Sequence, residues 1–232
     1  MAVPPLPTVL IGGYLGAGKT TLVNHLLRQA DGRRVAVLVN DFGSINIDAD
    51  LIEGSSAGVL ALSGGCLCCS FGDDLVGTLQ ALTRREPAPD VCLIELSGVA
   101  LPAAVLRTVR LALDIGVVGT LVLADAAEIC RQAADRYVGD TVRQQLLDAD
   151  WLLLNKPDLV GTDELQATTQ ALAGLAPQAR LWAGSAATLP AELVLGWRGD
   201  DLPDATATAT ATAPAPTPTP ARSVEAAFGG RP

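Results

Sequence analysis

Residues 13–20 read GYLGAGKT, a G-x-x-x-x-G-K-T pattern preceded by the apolar run TVLIG and followed by TLVNHLLRQ, where apolar residues recur at helical spacing. A strand that turns through glycines directly into a helix is the setting in which this pattern holds phosphate. The glycines let successive backbone N–H groups face an anion, and the helix N-terminus adds the positive end of its dipole. On this reading Gly13, Gly16, Ala17, Gly18, Lys19, Thr20 and Thr21 contact a nucleotide, Lys19 neutralises β- and γ-phosphate oxygens, and Thr20 offers its hydroxyl to Mg²⁺. A glycine-rich turn with an incidental lysine is the competing interpretation, and the strand–loop–helix context argues against it.

Around this loop, short β-branched or leucine-rich runs alternate with helical patterns. Strands are expected near 8–12, 35–39, 59–62, 91–95, 118–124, 150–154 and 179–182, and helices near 19–30, 72–85, 101–113, 126–148, 162–174 and 187–196. The alternation predicts an α/β fold of the P-loop NTPase type, a mostly parallel sheet with helices on both faces. With 49% apolar residues in 232, the chain can build a substantial core. Residues 1–200 are expected to form one P-loop domain. Residues 201–232, rich in Ala, Thr and Pro, read as a disordered low-complexity linker or tail.

A net charge of −9 argues against nucleic acid and anionic membrane surfaces, which require a basic footprint. No apolar run of membrane-spanning length and no leader pattern is present, and the five cysteines are an odd number, so reduced thiols and a cytoplasmic location are expected. Lysine occurs only as Lys19 and Lys156, and both fall in motifs.

The second lysine lies in LLLNKPDLV, where Asn155, Lys156 and Asp158 follow a predicted strand. This N-K-x-D pattern resembles the guanine-specificity loop of GTPases. A carboxylate at Asp158 can accept both the ring N–H and the exocyclic N–H of guanine, a donor pair that adenine lacks. The aliphatic stem of Lys156 can cover the base plane, and Gly184–Ala186, with Ser185 and Ala186, resembles the last base-contacting loop of the same class.

In an open parallel sheet, ligands gather beyond the carboxyl ends of the strands. Five loops should therefore share one crevice: the phosphate loop, NDFGSINID (40–48), SGGCLCC (63–69), ELSG (95–98) and NKPD. Three thiolates at Cys66, Cys68 and Cys69 suit a borderline-soft ion such as Zn²⁺ or Co²⁺, and three protein ligands leave a position open for transfer. A redox pair or inert packed thiols are the alternatives. Cys92 and Cys130 read as core or bland residues, His25 as a packing or surface residue, and Asp48 and Asp125 as structural.

The phosphate loop, NDFG, C-x-C-C, ELSG, QLLDADWLLLNKPDL (145–159) and GSA, in this order, resemble the CobW-like P-loop GTPases, a family that includes metallochaperones and nitrile hydratase activator-like proteins. The likeness spans residues 8–200. It implies a GTP-hydrolysing, GTP- and Mg²⁺-binding domain that delivers a transition metal, zinc or else cobalt, to a client metalloprotein. It also implies that Glu95 is the acid on the Mg²⁺ side, that Gly98 approaches the γ-phosphate, and that Asp41, where relatives usually carry glutamate, senses the third phosphate; Lys19, Asp41 and Glu95 are then the catalytic set. Solvated loop acids are the competing reading of Glu95 and Asp41. The chain departs from the family at Val39 and Ser44, where many relatives are acidic, and no counterpart of the family's C-terminal domain is expected after the linker.

The leading expectation is thus a nucleotide-gated metallochaperone, with a nucleotide-dependent homodimer admitted. The alternatives are a regulatory GTP-binding switch or remnant GTPase that delivers no metal, and a P-loop kinase, which Asp158 disfavours.

Overall fold

The computed structural model describes residues 5–39, 60–63, 73–112 and 115–198. Within them lie seven strands, β1 (Leu6–Gly13), β2 (Val35–Val39), β3 (Leu60–Ser63), β4 (Val91–Glu95), β5 (Ile115–Asp125), β6 (Trp151–Asn155) and β7 (Arg180–Ala183). They form one sheet in the order β3-β2-β4-β1-β5-β6-β7, and every pairing is parallel. Helices α1 (Lys19–Arg28), α2 (Asp73–Thr83), α3 (Pro102–Val109), α4 (Ile129–Ala134), α5 (Gly139–Leu147), α6 (Thr162–Leu175) and α7 (Ala191–Leu195) connect or follow the strands.

Parallel strands covered on both faces should be apolar throughout, and β2 (VAVLV) and β6 (WLLLN) are buried at every position. Side chains alternate between faces, so β1 sends Val9 and Ile11 one way and Leu6 and Leu10 the other. On the first face, Leu22, Val23, Leu26 and Leu27 of α1 and Val194 and Leu195 of α7 pack against Val37, Leu93, Leu123 and Leu153. On the opposite face, α2 and α3 cover Leu38 and Ile94 through Leu79, Leu82, Val105 and Val109, while α4, α5 and α6 cover Val122, Leu152 and Leu154. Burying a leucine or isoleucine completely contributes about 1.5–3 kcal/mol, so each helix is held to the sheet by several such residues.

All seven strands expected from the sequence are present. The single helix expected over 126–148 is two, α4 and α5. Asp135 adopts an extended backbone, and its Oδ1 accepts the N–H groups of Tyr137 and Val138, which ends one helix and starts the next. The last helix begins at Ala191, later than expected, because Pro190 precedes it in an extended conformation. β5 starts at Ile115 and carries a register shift opposite Thr8 and Val9. The 201–232 tail lies outside the described residues.

The sheet order brings the carboxyl ends of β4, β1, β5 and β6 side by side. Ile11 is in register with Glu95, Gly13 with Leu123, and Asp125 with Asn155. Four loops that are far apart in sequence thus leave the sheet along one stretch of its edge.

Candidate functional site

The phosphate loop runs from the end of β1 into α1. Gly18 sits at φ 101°, a left-handed conformation, and a Cβ placed there would come within 2.4 Å of Asn155 Nδ2. Only glycine meets both conditions. Lys19, almost buried, folds back over the loop, where Nζ donates to the carbonyls of Gly13 at 2.9 Å and Tyr14 at 3.3 Å. A phosphate bound by the loop would offer this ammonium group charge-assisted hydrogen bonds.

Next in the chain, the Thr20 hydroxyl donates to Glu95 Oε1 at 2.7 Å. Glu95 ends β4, only 3% exposed, beside the N-terminus of α1. A hydroxyl and a carboxylate in contact next to a phosphate loop are hard oxygen donors, the set that Mg²⁺ selects when it also binds substrate phosphates. The residues present therefore fit that ion.

Asn155 ends β6 and uses both ends of its buried carboxamide. Nδ2 donates to the Ala17 carbonyl at 2.8 Å, and Oδ1 accepts the Ala186 N–H at 2.8 Å. Lys156 has positive φ (60°), and its ammonium bridges Asp125 Oδ2 at 2.7 Å and the Gly16 carbonyl at 2.9 Å. The phosphate loop, the N-K-x-D loop and the 184–186 loop are thereby fastened together. Asp158, on a 3₁₀ turn at Pro157–Leu159, is exposed to solvent, as a carboxylate awaiting a base would be. The Ser185 Oγ accepts the Ala187 N–H, a local turn. Asp125, read from the sequence as structural, is the counter-ion of Lys156. Its position at the end of the strand paired with β6 was the signal for that role.

Gly98 lies against the phosphate loop: a Cβ there would fall 2.9 Å from Leu15 N. Sequence reasoning did not find Gln145, whose buried side chain reaches the Gly98 carbonyl. Of the remaining thiols, Cys92 is fully buried on β4, and desolvation pushes it from 9.0 up to about 12. Cys130 is exposed, with Sγ 3.8 Å from Thr168 Oγ1. His25 bonds the Leu189 carbonyl at 2.8 Å, a packing role. Asp41, Cys66, Cys68 and Cys69 lie outside the described residues, and among the described residues no group of three metal-ligating side chains comes together. No helix among them is long and apolar enough to cross a membrane.

Residues 7–182 match the nucleotide-binding domain family described as CobW/HypB/UreG. Relatives include the zinc chaperone CobW of Sinorhizobium sp, 33% identical over 190 residues that cover 70% of this chain and 54% of that one. The zinc chaperone YjiA of Escherichia coli is 33% identical over 172 residues, 69% of this chain and 52% of that one. The crystal structure of the Zn(II)-bound YjiA GTPase superposes with a TM-score of 0.61 at 27% identity, over 78% of this chain and 57% of that chain. HypB of Helicobacter pylori, solved with nickel, shares the fold at a TM-score of 0.54 and 19% identity, over 78% of this chain and 80% of its own. The chain spans about half the length of the curated relatives it matches. By sequence match and by fold, it belongs to the CobW/HypB/UreG family, among the CobW-like P-loop GTPases.

Proposed function

We propose that this chain hydrolyses GTP and uses the nucleotide state to control a transition metal, zinc or else cobalt, held by Cys66, Cys68 and Cys69 and passed to a client metalloprotein in the cytoplasm. The observation that carries the reading is Asn155, which ties the phosphate loop to the two loops suited to guanine while Thr20 and Glu95 meet beside them. The names of the zinc chaperones it resembles support the choice of cargo.

In this reading Asp158 selects guanine, Lys156 covers the base, and Ser185 and Ala186 complete the base loop. Backbone N–H groups of Gly13–Thr21 cradle the phosphates, and Lys19 carries their charge. Thr20 and Glu95 would hold Mg²⁺, which neutralises phosphate oxygens when bound. Asp41 and Gly98 answer to the third phosphate. Residues 1–200 are the GTPase unit and 201–232 a tail.

Metal and nucleotide affinities are then linked. If GTP tightens the metal tenfold, about 1.4 kcal/mol, the metal tightens GTP equally. The test is a Zn²⁺ competition titration of the reduced protein against a chromophoric chelator, in Mg-GDP and in a non-hydrolysable Mg-GTP analogue. One-to-one binding that tightens in the GTP form, and is lost when all three cysteines are serine, is the expected result. Equal affinity in both states, or affinity untouched by serine, leaves a GTP-binding switch without metal delivery.

A further inference from the structure

The segment QLLDAD, just before β6, has no part in the function proposed so far. Gln145 lies on α5 with 2% of its surface exposed. Its Nε2 donates to the Gly98 carbonyl at 3.1 Å and to the Ala100 carbonyl at 2.9 Å, so one amide group serves two carbonyls of the loop between β4 and α3. In an exposed loop those carbonyls would be solvated by water; here a buried side chain replaces it.

The same end of α5 also grips the first turn of α3, where the loop ends. Asp148 Oδ2 accepts the Ala103 N–H at 2.9 Å, and Gln144 holds the other oxygen of that carboxylate at 2.8 Å. Asp150 then accepts the Thr120 N–H of β5 at 2.8 Å, which anchors the segment to the sheet. At its opposite end the loop is fixed by Glu95 on Thr20, and between these points Gly98 touches the phosphate loop at Leu15. A turn from the Ala100 N–H to the Ser97 carbonyl, 3.1 Å, stiffens the part that Gln145 holds.

We infer that Gln145 is a positioning residue that pre-sets Gly98 against the phosphate loop, so that the site distinguishes a nucleoside triphosphate from a diphosphate without rebuilding this loop. The inference rests on the GTPase reading above. Because α5 continues through β6 to Asn155–Asp158, the helix that holds the terminal-phosphate loop is continuous with the strand that presents the base loop. Base recognition and terminal-phosphate recognition then share one rigid support.

The test uses the full chain and Gln145→Met, which keeps length and removes both donors. Affinities for Mg-GDP and for a non-hydrolysable Mg-GTP analogue are measured with single-turnover hydrolysis and thermal stability. The expected result is GDP affinity within about twofold of wild type, analogue affinity weaker by about tenfold, and hydrolysis slower by a similar factor. A general loss of structure would instead weaken both nucleotides alike, and that outcome, or no change in either, overturns the inference.

Hydrogen exchange of the wild type supplies a second measurement that does not depend on the variant folding. The Ala100 amide, bonded to the Ser97 carbonyl in the part of the loop that Gln145 holds, should already be protected without nucleotide, whereas protection acquired only with the GTP analogue overturns the pre-set loop. A wild type that binds neither nucleotide removes the GTPase reading and this inference with it. A wild type that binds both, beside an unaffected Gln145→Met, removes this inference alone.

Discussion

Asn155 donates to the Ala17 carbonyl across 138 residues of sequence, joining the end of β6 to the phosphate loop. Because its Oδ1 also accepts the Ala186 N–H, Asn155→Ala strands a buried carbonyl and a buried N–H. Each unsatisfied group costs about 1–3 kcal/mol, so the variant should lose roughly 2–6 kcal/mol in urea denaturation and bind GDP poorly. A loss below 1 kcal/mol, roughly that of a solvated hydrogen bond, would show that the three loops are not fastened through this side chain.

Asp158 tests the base separately from the fold. It is exposed, so Asp158→Asn should leave the melting temperature unchanged. An amide offers one donor and one acceptor in place of two acceptors, which suits xanthine better than guanine. GTP affinity should fall on the order of 10²-fold or more while xanthosine triphosphate gains. Unchanged preference in a nucleotide competition assay would place the base elsewhere.

Glu95→Gln keeps an oxygen for the Thr20 hydroxyl and removes a buried charge. The variant should stay folded, because glutamine matches glutamate in size and keeps the contact with the Thr20 hydroxyl. GTP turnover at saturating Mg²⁺ should drop on the order of 10²-fold, the scale of losing one pre-set electrostatic group. Full turnover would identify Glu95 as a structural acid only.

Cys92 predicts a pH effect with a definite sign. Burial raises its folded pKa from 9.0 to about 12, so the unfolded chain releases this proton first. The contribution is fully present below pH 9 and is lost as pH rises towards 12, by about 1.4 kcal/mol per unit. Denaturation midpoints measured from pH 8 upward should fall across that window, and the slope should flatten in Cys92→Ala. Cys92 should also resist thiol reagents in the native state while the exposed Cys130 reacts.

The motifs with fixed local geometry were legible from the chain alone. A strand, a glycine turn and a helix must follow one another at GYLGAGKT, and β2 (VAVLV) and the WLLL of β6 announce themselves as apolar runs. What escaped depends on contacts between distant segments. Asp135 splitting a helix is a choice between a helical backbone and a side-chain cap, and composition weighs the two almost equally. Gln145 stands beside Gln144; one is buried on a loop and the other faces Asp148, and nothing in the pair QQ tells them apart. Asp125 became a counter-ion only because β5 and β6 are neighbours in the sheet.

The strand order also dictates when this protein can begin to work as it is made. β1 precedes the other described strands in the chain, yet its two partners in the sheet are β4 and β5, and its chain neighbour β2 is not one of them. A nascent chain must therefore keep the phosphate loop unassembled until Asp125 has left the ribosome, and unbraced until Asn155 follows. A nucleotide held by that loop can therefore stabilise only the nearly finished domain and gives no early help to its folding.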